Sequence, residues 1–209
     1  MLSLKESLKI IKKYRIPIVE SYFSLEIEYL KNRIKNFDKA VLKVYSPDII
    51  HKTEAKSVIL DIRNKKELEK AYKDLLCNVF SYNKNSRIES FVLQKQISGF
   101  EIFVGGKTDN VFGKVIVFGA GGIFTEIYKD ISIRVLPISL RDVEEMVKET
   151  KVYEILKGFR GKKFNLKSLF ELILRSGNMF LKENIKEFDF NPVIINEKGV
   201  YVVDWRFIR

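Results

Sequence analysis

Histidine and cysteine are nearly missing from this chain: His51 and Cys77 are the only ones among its 209 residues. A lone cysteine rules out an intrachain disulfide framework and suits a reducing compartment such as the cytoplasm. Cys77 falls in a predicted helix and reads as a small buried hydrophobe. A lone histidine cannot build a His-rich metal site, and no Ser-His-Asp or Cys-His arrangement is indicated. No apolar run approaches the length of a membrane span. The N-terminal MLSLKESLKII mixes charges into its apolar residues and lacks a cleavage-site pattern, so a secretory leader is not expected. Internal repeats and low-complexity segments are missing too. What is abundant is positive charge, with a formal net charge of +11. Its lysines are dispersed among glutamates and aromatics, without the long basic block or RNA-binding signature of a nucleic-acid protein. High Lys, Glu and Ile with little Gln matches the composition of heat-adapted proteins. The length suffices for one large domain or two small lobes.

The coarse element order is mixed. Ser3 and Glu6 form a capping-box signature opening a helix to about Tyr14, with Leu4, Leu8 and Ile11 on one stripe. Ile16–Val19 reads as a short strand, and Ser24 as the cap of a second helix to about Lys35. Lys39–Tyr45 and Ser57–Ile62 read as strands. Asn64 and Glu67 cap a helix to about Phe80. Strands follow at Ile88–Ile97 and Phe100–Lys107. Next comes the stretch FGKVIVFGAGGIFTEIYKDISIRVLP, read as strands Lys114–Phe118, Ile123–Tyr128 and Ile131–Leu136. Ser139 caps a helix to about Thr150, a short turn covers Tyr153–Leu156, and Lys167–Glu183 is a helix interrupted by Gly177. The closing strands are Glu187–Ile195 and Val200–Ile208. The fold class is therefore α+β, in two lobes of approximately 15–95 and 98–209, the N-terminal helix joining the second. The boundary is expected near Gln94–Gly99.

The glycines at 119, 121 and 122 invite a phosphate-cradle reading, because glycine lets backbone N–H groups approach anionic oxygens. No Gly-Lys-Ser/Thr follows them, which excludes a P-loop. The run Ile123-Phe124-Thr125 favours a strand over the helix that a dinucleotide fingerprint needs. A glycine-relieved hairpin without ligand is the alternative. The closing pair carries a sharper argument. Asn196-Glu197-Lys198-Gly199 is a good four-residue turn pairing Ile195 with Val200. Antiparallel pairing then sets Asn191 opposite Asp204 and Asp189 opposite Arg206, all four on one face. Phe188, Phe190, Trp205 and Phe207 occupy the other. A carboxylate and an amide oxygen on one rung can share a hard cation such as Mg²⁺, whose remaining ligands come from phosphate and water. The bland reading is a solvated face with an Asp189–Arg206 pair. Lys43, in an apolar strand, either binds a phosphate or snorkels to solvent from an edge. His51 follows Ser46-Pro47-Asp48 beside Lys52; it is either an inert loop residue or a nucleophile toward phosphorus.

Taken together, VLKVYSPDIIHKTEAKSVILDI, the glycine segment from Gly99 to Ile138, LKGFRGKK and IKEFDFNPVIINEKGVYVVDWR resemble the ATP-grasp β subunits of ADP-forming acetate–CoA ligases. These enzymes are also called ADP-forming acetyl-CoA synthetases and are related to succinyl-CoA synthetase. The resemblance covers nearly the whole chain in an ordered series of motifs. It implies the ATP-grasp fold, two lobes with antiparallel-rich sheets gripping ATP or ADP. It implies that Lys43 contacts the phosphates and that the segment around Gln94 is a hinge beside the adenine. Glu101, Gly121, Gly122 and Glu126 would line the nucleotide site, and Asn191 and Asp204 would hold Mg²⁺. His51 would accept a phosphoryl group from a partner phosphohistidine and pass it to ADP, with Asp189 at the associated acidic position. A separate CoA-binding α subunit, in an α2β2-type assembly, would carry the primary phosphohistidine. The alternatives are another ATP-grasp ligase activating a carboxylate for an amine, or a basic nucleotide- or RNA-binding module. A requirement for CoA separates the first two, and Mg-ATP binding in high salt separates both from the third. The chain departs from the family where Lys56-Ser57 replaces the usual Gly-Gly, and where Ala120 stands for Leu in Phe-Gly-Leu-Gly-Gly.

Overall fold

The computed structural model describes residues 1–49, 55–122, 130–158 and 161–209. The chain divides into two compact units: Val19–Ile97, and Met1–Ile18 together with Ser98–Arg209.

In the Val19–Ile97 unit, β1 (Ser21–Ser24), β2 (Ala40–Tyr45), β3 (Val58–Ile62) and β4 (Ser90–Lys95) form a sheet of order β1-β4-β2-β3. All its pairings are antiparallel. One face of β2 and β4 (Ala40, Leu42, Val44, Phe91, Leu93) packs on a core with Leu68, Ala71, Leu75 and Val79. These four are the apolar stripe of α3 (Lys65–Tyr82), whose Asn64 cap accepts from the Glu67 N–H. Cys77 lies off that stripe and is exposed, contrary to the expectation of a buried hydrophobe. The helix expected from Ser24 is also different. Ser24 ends strand β1, and only Ile27–Lys31 (α2) and a 3-10 turn at Ile34–Asn36 follow. The Ser24 hydroxyl accepts from Glu26 N, a local turn that competes with a helix start. On β3 an extra residue shifts the register against β2 between Ala40 and Leu42. Asp61 there is left-handed, at φ +61°, and held by Lys39 and Gln96.

In the other unit, α1 (Leu4–Lys13) opens with the Ser3–Glu6 capping box. Its fully buried residues are Ser7, Ile10 and Ile11, a stripe rotated slightly from the expected one. The strand expected at Ile16–Val19 reduces to a single bridge, Ile18 with Val202. The sheet comprises β5 (Phe100–Asp109), β6 (Gly113–Ala120), β7 (Ile131–Val135), β8 (Glu187–Ile195), β9 (Val200–Val202) and β10 (Trp205–Ile208). Its order is β10-β8-β5-β6-β7, with β9 beside β8. The strand expected at Ile123–Tyr128 lies outside the described residues. Helices α4 (Leu140–Lys148), α5 (Val152–Leu156) and α6 (Leu166–Lys182) complete the unit, α4 opening on a Ser139–Asp142 capping box. Gly177 does not interrupt α6. A Cβ there would stand 3.1 Å from Leu136 Cδ2, so the glycine permits close approach instead. Phe180, Phe188, Phe190 and Phe207 form one chain of aromatic contacts, with centroids 5.0–5.8 Å apart. Period-two alternation therefore leaves Glu187, Asp189, Asn191 and Arg206 on the opposite, open face.

Candidate functional site

The closing hairpin adopts the register that its turn dictates. Ile195 pairs with Val200, Asp189 with Arg206, and Phe190 with Trp205. Asn191 N donates to Asp204 O at 3.2 Å, which places the two expected metal ligands on one rung. Between β9 and β10 the ladder breaks at Val203 and Asp204. Proline at 192 has no N–H to give, and Val203 N, at 3.0 Å, and Asp204 N, at 3.5 Å, both turn to its carbonyl. Asp204 Oδ1 then accepts from Trp205 N at 3.0 Å. Among the described residues no cluster of three or more His, Cys, Asp or Glu occurs. One carboxylate and one amide oxygen remain, a hard donor set that fits Mg²⁺ better than a soft metal and leaves most positions for phosphate and water. Asn191 and Asp204 are the residues that would hold the ion.

Arg206 and Asp189 form the ion pair of the bland reading, at its outer limit, and Arg206 lies closer to Glu187. Its Nη2 donates to Glu187 Oε1 at 2.8 Å and stands 4.0 Å from Asp189 Oδ2. Glu187 is the residue that reading the strand for Asp-x-Asn overlooks. Alternation puts it two places before Asp189 on the same face, which is the signal that could have found it. On the neighbouring strand Gly105 opposes Asp189, so β5 itself places no side chain opposite it.

At the other end of β5 the glycines meet Glu101. Gly121 N donates to Glu101 O at 2.9 Å. A Cβ at Gly121 would lie 2.9 Å from that backbone, so only glycine fits. Gly122 has φ +63° and lies against Glu101 Oε2, so its left-handed backbone brings the chain over this carboxylate. Glu101, Gly121 and Gly122 are thus brought together, with Glu101 exposed to solvent. Glu126 lies outside the described residues.

In the Val19–Ile97 unit, Lys43 sits on β2, a central strand, so it cannot snorkel from an edge. It is 4% exposed, and its Nζ donates to Gln94 Oε1 at 3.3 Å. Gln94 in turn donates from Nε2 to Ser21 Oγ at 3.0 Å. A buried ammonium loses several kcal/mol of hydration, which its polar partners must offset. His51 lies outside the described residues. Lys56 adopts φ +44°. Its carbonyl accepts from Asn78 Nδ2 at 2.9 Å. The chain keeps a left-handed backbone there without glycine's freedom to adopt it.

Comparison with known proteins identifies the family. The model of the ATP-grasp domain family matches residues 1–208. The β subunit of ADP-forming acetate–CoA ligase I from Pyrococcus furiosus is 37% identical over 207 residues, 97% of this chain and 89% of that one. ADP-forming acetate–CoA ligase I from Archaeoglobus fulgidus is 36% identical over 207 residues, of which this chain spans only 30% of the length. Acetyl-coenzyme A synthetase 1 from Ca. Korarchaeum cryptofilum, solved with coenzyme A and Ca-AMPCP, superimposes with a TM-score of 0.92 at 35% identity, covering 98% of this chain and 91% of that one. The same enzyme with coenzyme A and Mg-AMPPCP, its phosphohistidine segment pointing towards the nucleotide binding site, gives 0.83 at 33%, covering 99% and 92%. On the family model and the Pyrococcus furiosus relative, the chain belongs to the ATP-grasp family, among the β subunits of ADP-forming acetate–CoA ligases.

Proposed function

We propose that this chain is the nucleotide-binding subunit of an ADP-forming acyl-CoA synthetase, converting acyl-CoA, ADP and phosphate to free acid, CoA and ATP. The observation that carries the reading is the Asn191–Asp204 rung on an open sheet face, inside a chain that matches β subunits over 97% of its length. In this reading a separate CoA-binding α subunit supplies the primary phosphohistidine, in an α2β2-type assembly in the cytoplasm. No helix among the described residues is long and apolar enough to cross a membrane.

His51 takes the phosphoryl group first. A neutral imidazole nitrogen forms a new P–N bond while the partner's P–N bond breaks and its electron pair returns to the partner nitrogen. A neutral imidazole is a competent nucleophile for such a transfer. A terminal ADP oxygen then forms the P–O bond of ATP as the His51 P–N bond breaks. Lys43 steadies phosphate charge, Gln94 lies beside the adenine, and Glu101, Gly121, Gly122 and Glu126 line the nucleotide site. Asp189 serves the transfer. Mg²⁺, held through Asn191 and Asp204, neutralises phosphate charge when bound.

The test uses this chain with and without its partner subunit. Alone it should bind Mg-ADP and make no acyl-CoA. With the partner, labelled ATP should leave an acid-labile, base-stable phosphate on this chain. His51→Ala should remove the label while leaving Mg-ATP binding near normal. Turnover of that variant at the wild-type rate would refute the relay, and acyl-CoA synthesis by the isolated chain would refute the division of labour.

A further inference from the structure

Strand β3 ends the sheet of the Val19–Ile97 unit, and no strand among the described residues pairs with its far side. Val44 N donates to Ser57 O at 3.2 Å. Alternation in an antiparallel ladder then turns the N–H and C=O groups of Val58 and Leu60 away from β2, toward that edge. A cavity of about 280 Å³ lies between this strand and α3, lined by residues 59–62 and, from the helix, by Glu67, Lys70, Ala71 and Asp74. Small-molecule pockets are larger, about 300–1,000 Å³. A strand edge beside a helix is instead what an added peptide strand uses. Exposed edges ordinarily carry charge or proline that keeps other chains away. Here Ile59 packs on the core, so parity puts Val58 and Leu60 on the other face, 37% and 57% exposed. The register shift and the left-handed Asp61 end regular pairing after Leu60. A short strand therefore fits, and continuous pairing with a second sheet does not.

Charge selects the occupant. The chain carries a net +11, yet this groove is lined by three carboxylates, Asp61, Glu67 and Asp74, against the one ammonium of Lys70. Asp61 is committed to Lys39 at 2.8 Å, and Glu67 accepts from Arg63 N and Asn64 Nδ2 at the helix cap. Asp74 has neither an ion pair nor a hydrogen bond among the described residues.

We propose that this edge docks a short extended segment of a protein partner in which cationic and apolar side chains alternate. The segment adds to β3 through the backbone groups of Val58 and Leu60. On one face, arginine or lysine side chains lay their stems over Ile59 and Ala71 and bring their charge to Asp74. On the other, apolar side chains cover Val58 and Leu60. The docking does not depend on the nucleotide chemistry proposed above.

The probe is a short fluorescein-labelled peptide of alternating arginine and valine, added to the full chain and followed by fluorescence anisotropy. Its control alternates glutamate and valine. The chain as a whole is cationic, so long-range charge favours the control, and only a local acidic edge reverses the order. The arginine peptide should bind at least about tenfold more tightly than the glutamate one; equal binding, or the opposite order, overturns the proposal. Reversing the exposed charge with Asp74→Lys should weaken the arginine peptide at least about fivefold, and undiminished binding overturns the role of Asp74. With peptide at about ten times its Kd, amide exchange at Val58 and Leu60 should slow about tenfold. Unchanged exchange there overturns strand addition. Proline at two successive central positions of the peptide removes a ladder N–H in either register. That peptide should lose at least about tenfold in affinity for the unaltered chain, a comparison no folding defect can blur, and retained affinity refutes the backbone pairing. If the two amides are protected without peptide, increasingly so with chain concentration, the occupant is a second copy of this chain and the partner segment is refuted.

Discussion

Replacing Lys43 by methionine separates what this residue does for the fold from what it does for a ligand. Lys43 is 4% exposed on a central strand, with a long bond of 3.3 Å to Gln94. Methionine has nearly the same reach and no charge. Removing the ammonium relieves a desolvation penalty of about several kcal/mol. Against that, Gln94 Oε1 loses a donor, and an acceptor left buried costs about 1–3 kcal/mol. The two effects oppose each other and are of similar size, so Lys43→Met should change the unfolding free energy by no more than about 2 kcal/mol in either direction. Binding should move further. A hydrogen bond to a charged group contributes about 1.5–3 kcal/mol, and about 1.4 kcal/mol is tenfold in affinity. Mg-ADP should therefore bind roughly 10- to 150-fold more weakly. Urea unfolding and calorimetric titration of ADP at fixed Mg²⁺ measure the two sides. Unchanged ADP affinity would refute the phosphate role. A stability loss beyond about 3 kcal/mol would refute the burial argument, and would mark Lys43 as structural.

Three further outcomes follow from particular residues. Asp204→Asn keeps the acceptor of Trp205 N but removes the one charged metal ligand, so it should raise the Mg²⁺ needed to saturate ADP binding at least about tenfold, with the melting temperature little changed; ADP titrations at several Mg²⁺ concentrations would contradict the site if the curves coincide. At Lys56, φ +44° costs a side-chain residue about 1–2 kcal/mol. Glycine removes this but loses about 0.5–1 kcal/mol to the freer unfolded chain, so Lys56→Gly should stabilise by up to about 1.5 kcal/mol, and a lowered urea midpoint would contradict the strain. Glu183 receives Lys13 Nζ at 2.7 Å and Tyr14 OH at 2.9 Å. The Lys13 bond, followed by the Tyr14 bond, holds its carboxyl below the ordinary glutamate value even though burial opposes the shift. A depressed carboxylate contributes stability above its unfolded pKa and loses it as pH falls through the folded one. Unfolding free energy measured from pH 6 to 3 should thus fall more steeply in the wild type than in Glu183→Gln, and parallel curves would contradict the linkage.

What could be read in the sequence was what local geometry decides. A four-residue turn at Asn196–Gly199 makes the sum of partner numbers constant along an antiparallel pair, and that arithmetic alone brings Asn191 to Asp204. Caps behave likewise, because Ser3 with Glu6, and Asn64 with Glu67, satisfy helix donors within three residues. The unreadable parts depend on distant partners. Whether Lys43 lies on an edge or in the centre is decided by β4, whose Gln94 is 51 positions away. Ser21–Ser24 has little apolar alternation and is a strand because β4 pairs with it. Ile16–Val19 looks more like a strand than Ser21–Ser24, yet finds one bridging partner. Cys77 was misplaced for a similar reason: helical character was legible, but the stripe facing the core was set by the sheet beneath. At the site itself, parity says which side chains share a face and is silent on which of them bond. Arg206 has two carboxylates within reach on its face, and sequence offers Asp189 first because it is the cross-strand partner. Side-chain length decides for Glu187 instead, since the longer glutamate reaches the guanidinium from the next rung and leaves the shorter aspartate 4.0 Å away. One methylene group thus decides which of the two carboxylates takes the short bond to Arg206.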